Sequence, residues 1–204
     1  MKKQLWMCVS AVALAAACGC DHGGRNASPK NGVGIANGST EPAPVADAPP
    51  VRKMEVKESR WPSGALASRI EGYIDEDGKF VKHGVAAEWY ENDRPKMEIH
   101  WKDGVQHGPR RTWYESGQIW GEGTYVNGLE DGNWSAWLPN GFKSVEWTMR
   151  KGAFHGMFTE WHSNGEKRRQ FEYINGQKQG AVTYWDEEGN VASQGEYVND
   201  VLQP

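Results

Sequence analysis

A period of 24 residues constrains this chain more than any other feature of its sequence. From residue 85 to residue 204 it divides into five consecutive blocks, 85–108, 109–132, 133–156, 157–180 and 181–204. The fifth position of every block is tryptophan, namely Trp89, Trp113, Trp137, Trp161 and Trp185. Only 11 of the 204 residues are tryptophan, so this column is not accidental. A period of about 20 to 50 residues indicates stacked supersecondary units.

Further columns repeat with the tryptophans. The seventeenth position holds Trp101, Tyr125, Met149, Tyr173 and Tyr197. Glycine occupies the twentieth position of four blocks (Gly104, Gly128, Gly152 and Gly176) and the last position of four blocks (Gly108, Gly132, Gly156 and Gly180). A divergent sixth copy precedes these blocks, from about Arg60 to Gly84. Irregular first and last copies are typical of capping repeats.

Each block predicts two β-strands joined by a tight turn. Turn sequences such as Pro139-Asn140-Gly141 and Ser163-Asn164-Gly165 favour a three-residue hairpin loop with a bulge. This loop pairs the sixth position with the tenth and the fifth with the eleventh, and in that register odd positions share one face. The tryptophans and the seventeenth-position aromatics are therefore predicted to lie together, and Lys167-Arg168-Arg169 is predicted to alternate between faces. A second turn such as Asn127-Gly128 continues the chain, so the predicted fold is all-β, an elongated antiparallel meander of β-hairpin repeats.

The N-terminus has the pattern of an export signal. Lys2 and Lys3 precede an apolar run from Leu5 to Ala17 that is too short to cross a hydrocarbon core of about 30 Å. Residues 1–17 are therefore predicted to be a signal peptide. Leu14 to Cys18 resembles a bacterial lipobox, which makes Cys18 the predicted lipid attachment site, with Cys20 as the alternative. An ordinary signal peptide with an incidental cysteine stays open.

The segment after the signal has the composition of a tether. No aromatic residue lies between Trp6 and Trp61, and Pro42, Pro44, Pro49 and Pro50 lie in this stretch. Residues 18–59 are therefore predicted to be a lipid-anchored flexible linker, with polyproline II segments, and residues 60–204 to be six repeats. These features predict a bacterial cell envelope protein anchored to a membrane by its N-terminal lipid, or alternatively a secreted or periplasmic protein.

Charge and motifs exclude several functions. From Trp61 onward the chain has 15 Lys and Arg against 22 Asp and Glu, a net charge of −7, which disfavours nucleic acid. No serine-protease, phosphate-loop or zinc-protease motif is found, so the chain is predicted not to be an enzyme and to need no cofactor.

Three histidines, His83, His107 and His155, each precede a closing glycine. Because adjacent repeats lie about 10 Å apart, they are predicted to be polar turn residues rather than metal ligands.

The columns resemble MORN repeats of the bacterial variant, which includes proteins described as antitoxins of the YwqK type. The residues that carry the resemblance are Trp113-Tyr114, Ser116-Gly117, Tyr125 to Gly128 and Gly132, and the block 157–180 repeats the pattern. The resemblance covers most of residues 60–204. It implies a binding or scaffolding module without catalytic activity.

The aromatic columns supply the candidate binding face, which comprises Trp89, Trp113, Trp137, Trp161, Trp185, Tyr125, Tyr173 and Tyr197. The same residues have a structural interpretation, as the hydrophobic layer that holds neighbouring repeats together. The predicted partner is another envelope protein, with lipid or cell-wall glycan, or a toxin that the chain neutralises, as alternatives. Trp120 and Trp134 lie in even positions and would mark a second contact surface on the other face if exposed.

Overall fold

Residues 52–203 are described by a computed structural model, and within this range the chain forms one antiparallel sheet in meander order. The strands are β1 (Met54–Arg60), β2 (Leu66–Ile74), β3 (Phe80–Trp89), β4 (Pro95–Lys102), β5 (Val105–Trp113), β6 (Ile119–Val126), β7 (Leu129–Glu130), β8 (Gly132–Trp137), β9 (Lys143–Arg150), β10 (Ala153–Trp161), β11 (Lys167–Ile174), β12 (Gln177–Trp185), β13 (Val191–Val198) and β14 (Val201–Leu202). The all-β meander of hairpin repeats is confirmed. Over residues 52–203, no helix is long and apolar enough to cross a membrane.

The sheet begins earlier than the sequence predicted. Met54–Arg60 forms β1 and pairs with β2 from Met54 opposite Tyr73 to Ser59 opposite Ser68. Placing residues 54–59 in the linker was therefore wrong. A strand at the edge of a sheet gains its ladder of backbone hydrogen bonds without needing aromatic side chains, and its charged residues suit an exposed edge. The predicted signal peptide, Cys18 and Cys20 lie outside the described residues.

Two kinds of turn alternate along the meander. In the first, the Leu138 N–H donates to the Phe142 carbonyl at 2.8 Å across a three-residue loop, as predicted. In the second, Asn127 and Gly128 have φ angles of 51° and 81°, while Val126 pairs with Leu129. Two successive positive φ angles define a type I′ turn, whose twist matches that of the flanking strands.

A β-bulge after each three-residue loop overturns the predicted arrangement of faces. Trp161 pairs with Lys167, but its neighbour Glu160 pairs with Arg169, so Arg168 is an extra residue in β11. The register shifts at the equivalent position of the other hairpins. Because one extra residue reverses the alternation of side chains, the fifth-position tryptophans lie on the face opposite the tyrosines at position 17. The prediction that the two columns share a face was wrong, because it assumed a regular register without the bulge.

The same bulge corrects the prediction for Lys167-Arg168-Arg169. Arg168 and Arg169 lie on the same side as Glu160, and their guanidinium groups donate to its carboxylate at 2.6 and 2.5 Å. Only Lys167 lies on the other face, beside the tryptophans. In a β-bulge, two residues of one strand lie opposite a single residue of the other strand. Arg168 and Arg169 therefore both lie next to Glu160.

One face holds the hydrophobic layer, called here the aromatic-cluster face. Its rings contact one another across strands, with centroids 5.0 Å apart for Phe158 and Phe171 and 4.8 Å for Phe154 and Tyr173. Phe171 is only 2% exposed. Within residues 52–203 no second sheet covers this face, so the burial comes from neighbouring side chains of the same sheet, and ring pairs add about 0.5–1.5 kcal/mol each.

A glycine makes room for the largest ring of this layer. Trp134 is 4% exposed and stacks on Trp147 with a centroid distance of 6.0 Å. A Cβ atom placed on Gly123, in the adjoining strand β6, would lie 2.1 Å from the Trp134 indole. The absence of a side chain at Gly123 is therefore what allows the indole to lie flat against the strand.

Candidate binding surface

The opposite face, called the tryptophan face, carries a row of five half-buried indoles, Trp89, Trp113, Trp137, Trp161 and Trp185. They lie at the C-terminal ends of β3, β5, β8, β10 and β12. Each is paired across its hairpin, in order, with Pro95, Ile119, Lys143, Lys167 and Val191. The tryptophan row is defined by these ten residues, in which indoles alternate with smaller side chains along the sheet.

Two lysines make cation–π contacts with the indoles in the C-terminal half of the row. The Lys143 ammonium lies 5.7 Å from the Trp137 ring centroid and 5.5 Å from that of Trp161. Lys167 lies 5.6 Å from the Trp185 centroid. Cation–π contacts at such partly exposed sites contribute about 0.5–1 kcal/mol each. The three indoles with a lysine contact remain half-buried.

The row also offers hydrogen-bond donors. Within residues 52–203, none of its five indole N–H groups donates to a protein acceptor, and none is fully buried. This differs from Trp61, whose Nε1 donates to the Trp89 carbonyl at 3.2 Å, and from Trp101 and Trp134, whose Nε1 atoms are buried without a partner. The row therefore presents donors that solvent or a ligand can reach.

A polar column runs beside the row and is largely paired. Its members are Glu98, Glu122, Glu146, Gln170 and Gln194. Glu98 lies 3.4 Å from His100, Glu122 accepts from Arg111 at 3.4 Å, and Glu146 accepts from Lys143. In the fourth block the column is an amide, and Gln170 donates to Thr159 at 2.9 Å. Within the described sheet, no carboxylate lies within 4.0 Å of the ammonium of Lys167.

The predicted binding tyrosines lie on the aromatic-cluster face instead. Tyr125 packs edge-on against Trp134 with a centroid distance of 5.2 Å, and Tyr197 lies 5.8 Å from Phe171. Burial raises the pKa of Tyr125 and also that of Tyr173. The structure thus separates the two halves of the predicted face and places the tyrosines in the hydrophobic layer.

Trp120 and Trp134 also lie on the aromatic-cluster face, opposite the tryptophan row as predicted. Trp120 is the bulge residue of its hairpin and is 43% exposed, whereas Trp134 is buried. Of the two residues, only Trp120 is exposed, as the predicted second contact surface requires, and its role in contacts stays a prediction.

The histidine column lies at the second turns. Nδ1 of His107 accepts from the Asn127 N–H at 3.3 Å, and Nδ1 of His155 from the Asn175 N–H at 3.5 Å. Asp131 occupies the same position in the third block, where its carboxylate accepts from the Lys151 N–H at 3.0 Å. These side chains fasten one repeat to the next. Among residues 52–203, no group of three or more His, Cys, Asp and Glu side chains is arranged to hold a metal.

Sequence reasoning missed a charged cluster at the N-terminal end of the sheet. Asp103 Oδ1 accepts from the Tyr73 hydroxyl at 3.0 Å, lies 3.1 Å from His83 Nδ1 and pairs with Arg52. Burial opposes ionisation of Asp103, but hydrogen bonds from Tyr73, Arg52 and His83 outweigh it and lower its pKa. The available signal was an aspartate where the second and fourth blocks have Asn127 and Asn175.

An open depression of about 450 Å³ lies among the hairpin tips of the third and fourth blocks. It is lined by residues that include Leu138, Ser144, Glu160, Trp161, His162 and Arg168. Arg168 binds Glu160 there, and the His162 imidazole lies 3.0 Å from the Trp185 carbonyl. Glu187 also lines the depression and forms no salt bridge within residues 52–203, so the group left for a ligand there is a carboxylate in an open, solvent-exposed setting.

The parity of the apolar columns signals the bulge that sequence reasoning left out. Ala86, Trp134, Phe158 and Val182 occupy the second position of their blocks, and Ile99, Trp147 and Phe171 occupy the fifteenth. The second position is even-numbered and the fifteenth is odd-numbered, so in a regular hairpin the two columns would lie on opposite faces. Both can reach one hydrophobic layer only if a hairpin contains an odd number of extra residues.

Residues 106–127 and 178–199 match the MORN repeat variant family. The chain carries MORN repeats. The two matched segments begin 72 residues apart (178 minus 106), which is three periods of 24 residues, so they lie in the same register of the MORN array. MORN repeats are generally non-catalytic.

Comparison of the MORN-repeat chain with curated proteins gave no match. Among solved structures it is similar to the crystal structure of a protein with unknown function from Bacteroides fragilis NCTC 9343. The identity is 10%, over 72% of this chain and 94% of that chain, with a TM-score of 0.22.

Proposed function

We propose that this MORN-repeat chain is a non-catalytic module that binds another protein on its tryptophan face. The observation that supports this function is the tryptophan row, whose indoles are only half-buried and have N–H donors without an acceptor within residues 52–203. Tryptophan combines a large apolar surface with a polar N–H and is the residue most enriched at the energetic centre of protein interfaces.

The contrast with the aromatic-cluster face supports the choice of surface. There the rings contact one another, and Phe171 and Trp134 are almost fully buried. Those rings are used in packing, and their removal would destabilise the sheet rather than weaken a complex. The row can lose one indole and leave the other face unchanged.

We further propose that the module acts in the bacterial cell envelope, anchored by a lipid on Cys18. The support is the apolar run from Leu5 to Ala17 and the lipobox-like Leu14 to Cys18. Labelled palmitate should be incorporated into the full chain and lost in Cys18→Ala, while Cys20→Ala should keep it. Label lost only in Cys20→Ala would assign the anchor to Cys20. A mature protein without any acyl group would contradict the anchor.

Binding is tested by capture from envelope extracts with the full-length chain and two variants. Trp113→Ala/Trp137→Ala removes two indoles from the row. Trp120→Ala removes a 43% exposed indole from the opposite face and is the matched control. Capture of one defined protein should be lost only in the row variant, and its circular dichroism and melting curve should remain those of a folded sheet. If only lipid or glycan is captured, the proposed protein-binding function is wrong.

A further inference from the structure

The spacing of the tryptophan row matches one kind of peptide conformation. Successive indoles lie two strands apart, which is about 9.6 Å in an antiparallel sheet. A polyproline II helix has three residues per turn and a rise of about 3.1 Å per residue, so it repeats every 9.3 Å or so. One side chain in three of such a helix therefore meets one indole of the row. Because the sheet twists by about 20–25° per strand, the match extends over two or three turns rather than along the whole row.

The donors of the row fit the same ligand. A polyproline II helix has no internal hydrogen bonds, so its carbonyl groups are available as acceptors. The indole N–H groups of the row supply donors at the same period, and none of them is used within residues 52–203. Aromatic-lined grooves bind proline-rich segments in this way, because the ligand is ordered before it binds and loses little entropy.

The charges along the row give the ligand a polarity. Between the first three indoles lie the uncharged Pro95 and Ile119, and between the last three lie Lys143 and Lys167. Lys143 is neutralised by Glu146. Lys167 has Gln170, not an acid, in the neighbouring column, so its positive charge remains uncompensated within the described sheet. An acidic residue of the ligand is the complementary group at this end.

We propose that the tryptophan row binds a proline-rich segment of a partner protein in polyproline II conformation, with an acidic residue of that segment against Lys167. This proposal rests on the proposed protein-binding function and names the class of segment that is bound. The prolines stack on indoles from Trp113 to Trp161. The indole N–H groups donate to the carbonyl groups of the segment.

The test uses fluorescence anisotropy with the full-length chain and labelled synthetic probes. The probes are nonaproline, nonaproline extended by two glutamates, and a Gly/Ser peptide of the same length and charge as the second. Saturable binding is expected for both proline probes, tightest for the acidic one, and not for the Gly/Ser peptide. Trp113→Ala/Trp137→Ala should weaken binding by about tenfold or more, whereas Trp120→Ala should leave it unchanged. Lys167→Ala should weaken only the acidic probe, by about threefold, and added salt should reduce that difference.

Failure of this proposal is distinguishable from failure of the proposed function. If folded protein binds neither proline probe, or binds them equally well after the row substitutions, the polyproline proposal is wrong. Capture of a protein partner that depends on Trp113 and Trp137 would still support the broader function. Saturable binding of a hexamer of β-1,4-linked N-acetylglucosamine, with no binding of either proline probe, would contradict both and assign the row to glycan.

Discussion

The two faces of this sheet both carry aromatic columns, yet they use them differently. On the aromatic-cluster face, rings of adjacent strands touch, as Phe158 and Phe171 do at 5.0 Å. On the tryptophan face, each indole is separated from the next by a proline, isoleucine or lysine. The difference shows that periodicity alone does not distinguish packing from display. The residue that the intervening strand places between two rings decides whether the rings pack against one another or remain available to a ligand.

The largest expected effect comes from truncating one indole on each face. Trp134→Ala removes a 4% exposed ring and is expected to lower the free energy of unfolding by about 3–5 kcal/mol. Trp161→Ala removes a half-buried ring and one lysine contact, and should cost about 1–2 kcal/mol. Urea unfolding of both variants measures the difference. Equal losses would mean that the row is as structural as the cluster.

A second prediction concerns the space that a glycine leaves for Trp134. Gly123→Ala places a methyl group where the indole lies, so overpacking should cost about 1–3 kcal/mol. Gly121 is in the same strand, two residues away and on the same face, and a Cβ there meets its nearest neighbours at 3.4 Å. Gly121→Ala is therefore the matched control and should be nearly neutral. Similar melting temperatures for the two variants would show that Trp134 readily moves aside.

Much of this architecture follows from the sequence, and the part that does not depends on one residue per hairpin. Columns of tryptophan and glycine predict strands, turns and meander order, because Gly141 and Gly128 lie in turns that need positive φ. The bulge at Arg168 is local in sequence but reverses the face of Trp161 relative to Tyr173. The Asp103 cluster joins Arg52, Tyr73 and His83 from different strands or from outside them. Such a contact between different repeats cannot be predicted from the residue pattern within one block.

Stability should also depend on pH, at the alkaline end through the partly buried tyrosines. Burial, followed by the charge of Asp200, raises the pKa of Tyr173 on the aromatic-cluster face. The folded state therefore favours the neutral phenol. Its contribution to stability is complete below the unfolded pKa of about 10 and is lost as the pH rises through the folded pKa. Tyr173→Phe should flatten the loss of stability above pH 10 or so in urea titrations and leave the acid limb unchanged.

The acid limb should report on the Asp103 cluster. The folded pKa of Asp103 is lowered, so its contribution is present above the unfolded pKa of about 3.9 and is lost as the pH falls through the folded value. Its side chain is 43% exposed, and solvent reduces the effect. Asp103→Asn should flatten stability below pH 4 or so, and because burial and Asp103 both raise the pKa of Tyr73, it should alter the alkaline limb as well. An unchanged acid limb would show that Arg52, Tyr73 and His83 contribute no net stabilisation of the carboxylate.

The smallest expected effect is at the histidine column, where the repeats themselves contain the control. Asp131 performs in the third block the task that His107 performs in the second, since each accepts from the backbone N–H of the next turn. His107→Asp should therefore change the free energy of unfolding by less than about 0.5 kcal/mol, whereas His107→Ala removes the acceptor and should cost about 0.5–1.5 kcal/mol. Urea unfolding at neutral pH measures both. If aspartate is as harmful as alanine, the imidazole contributes more to stability than the acceptor of this hydrogen bond.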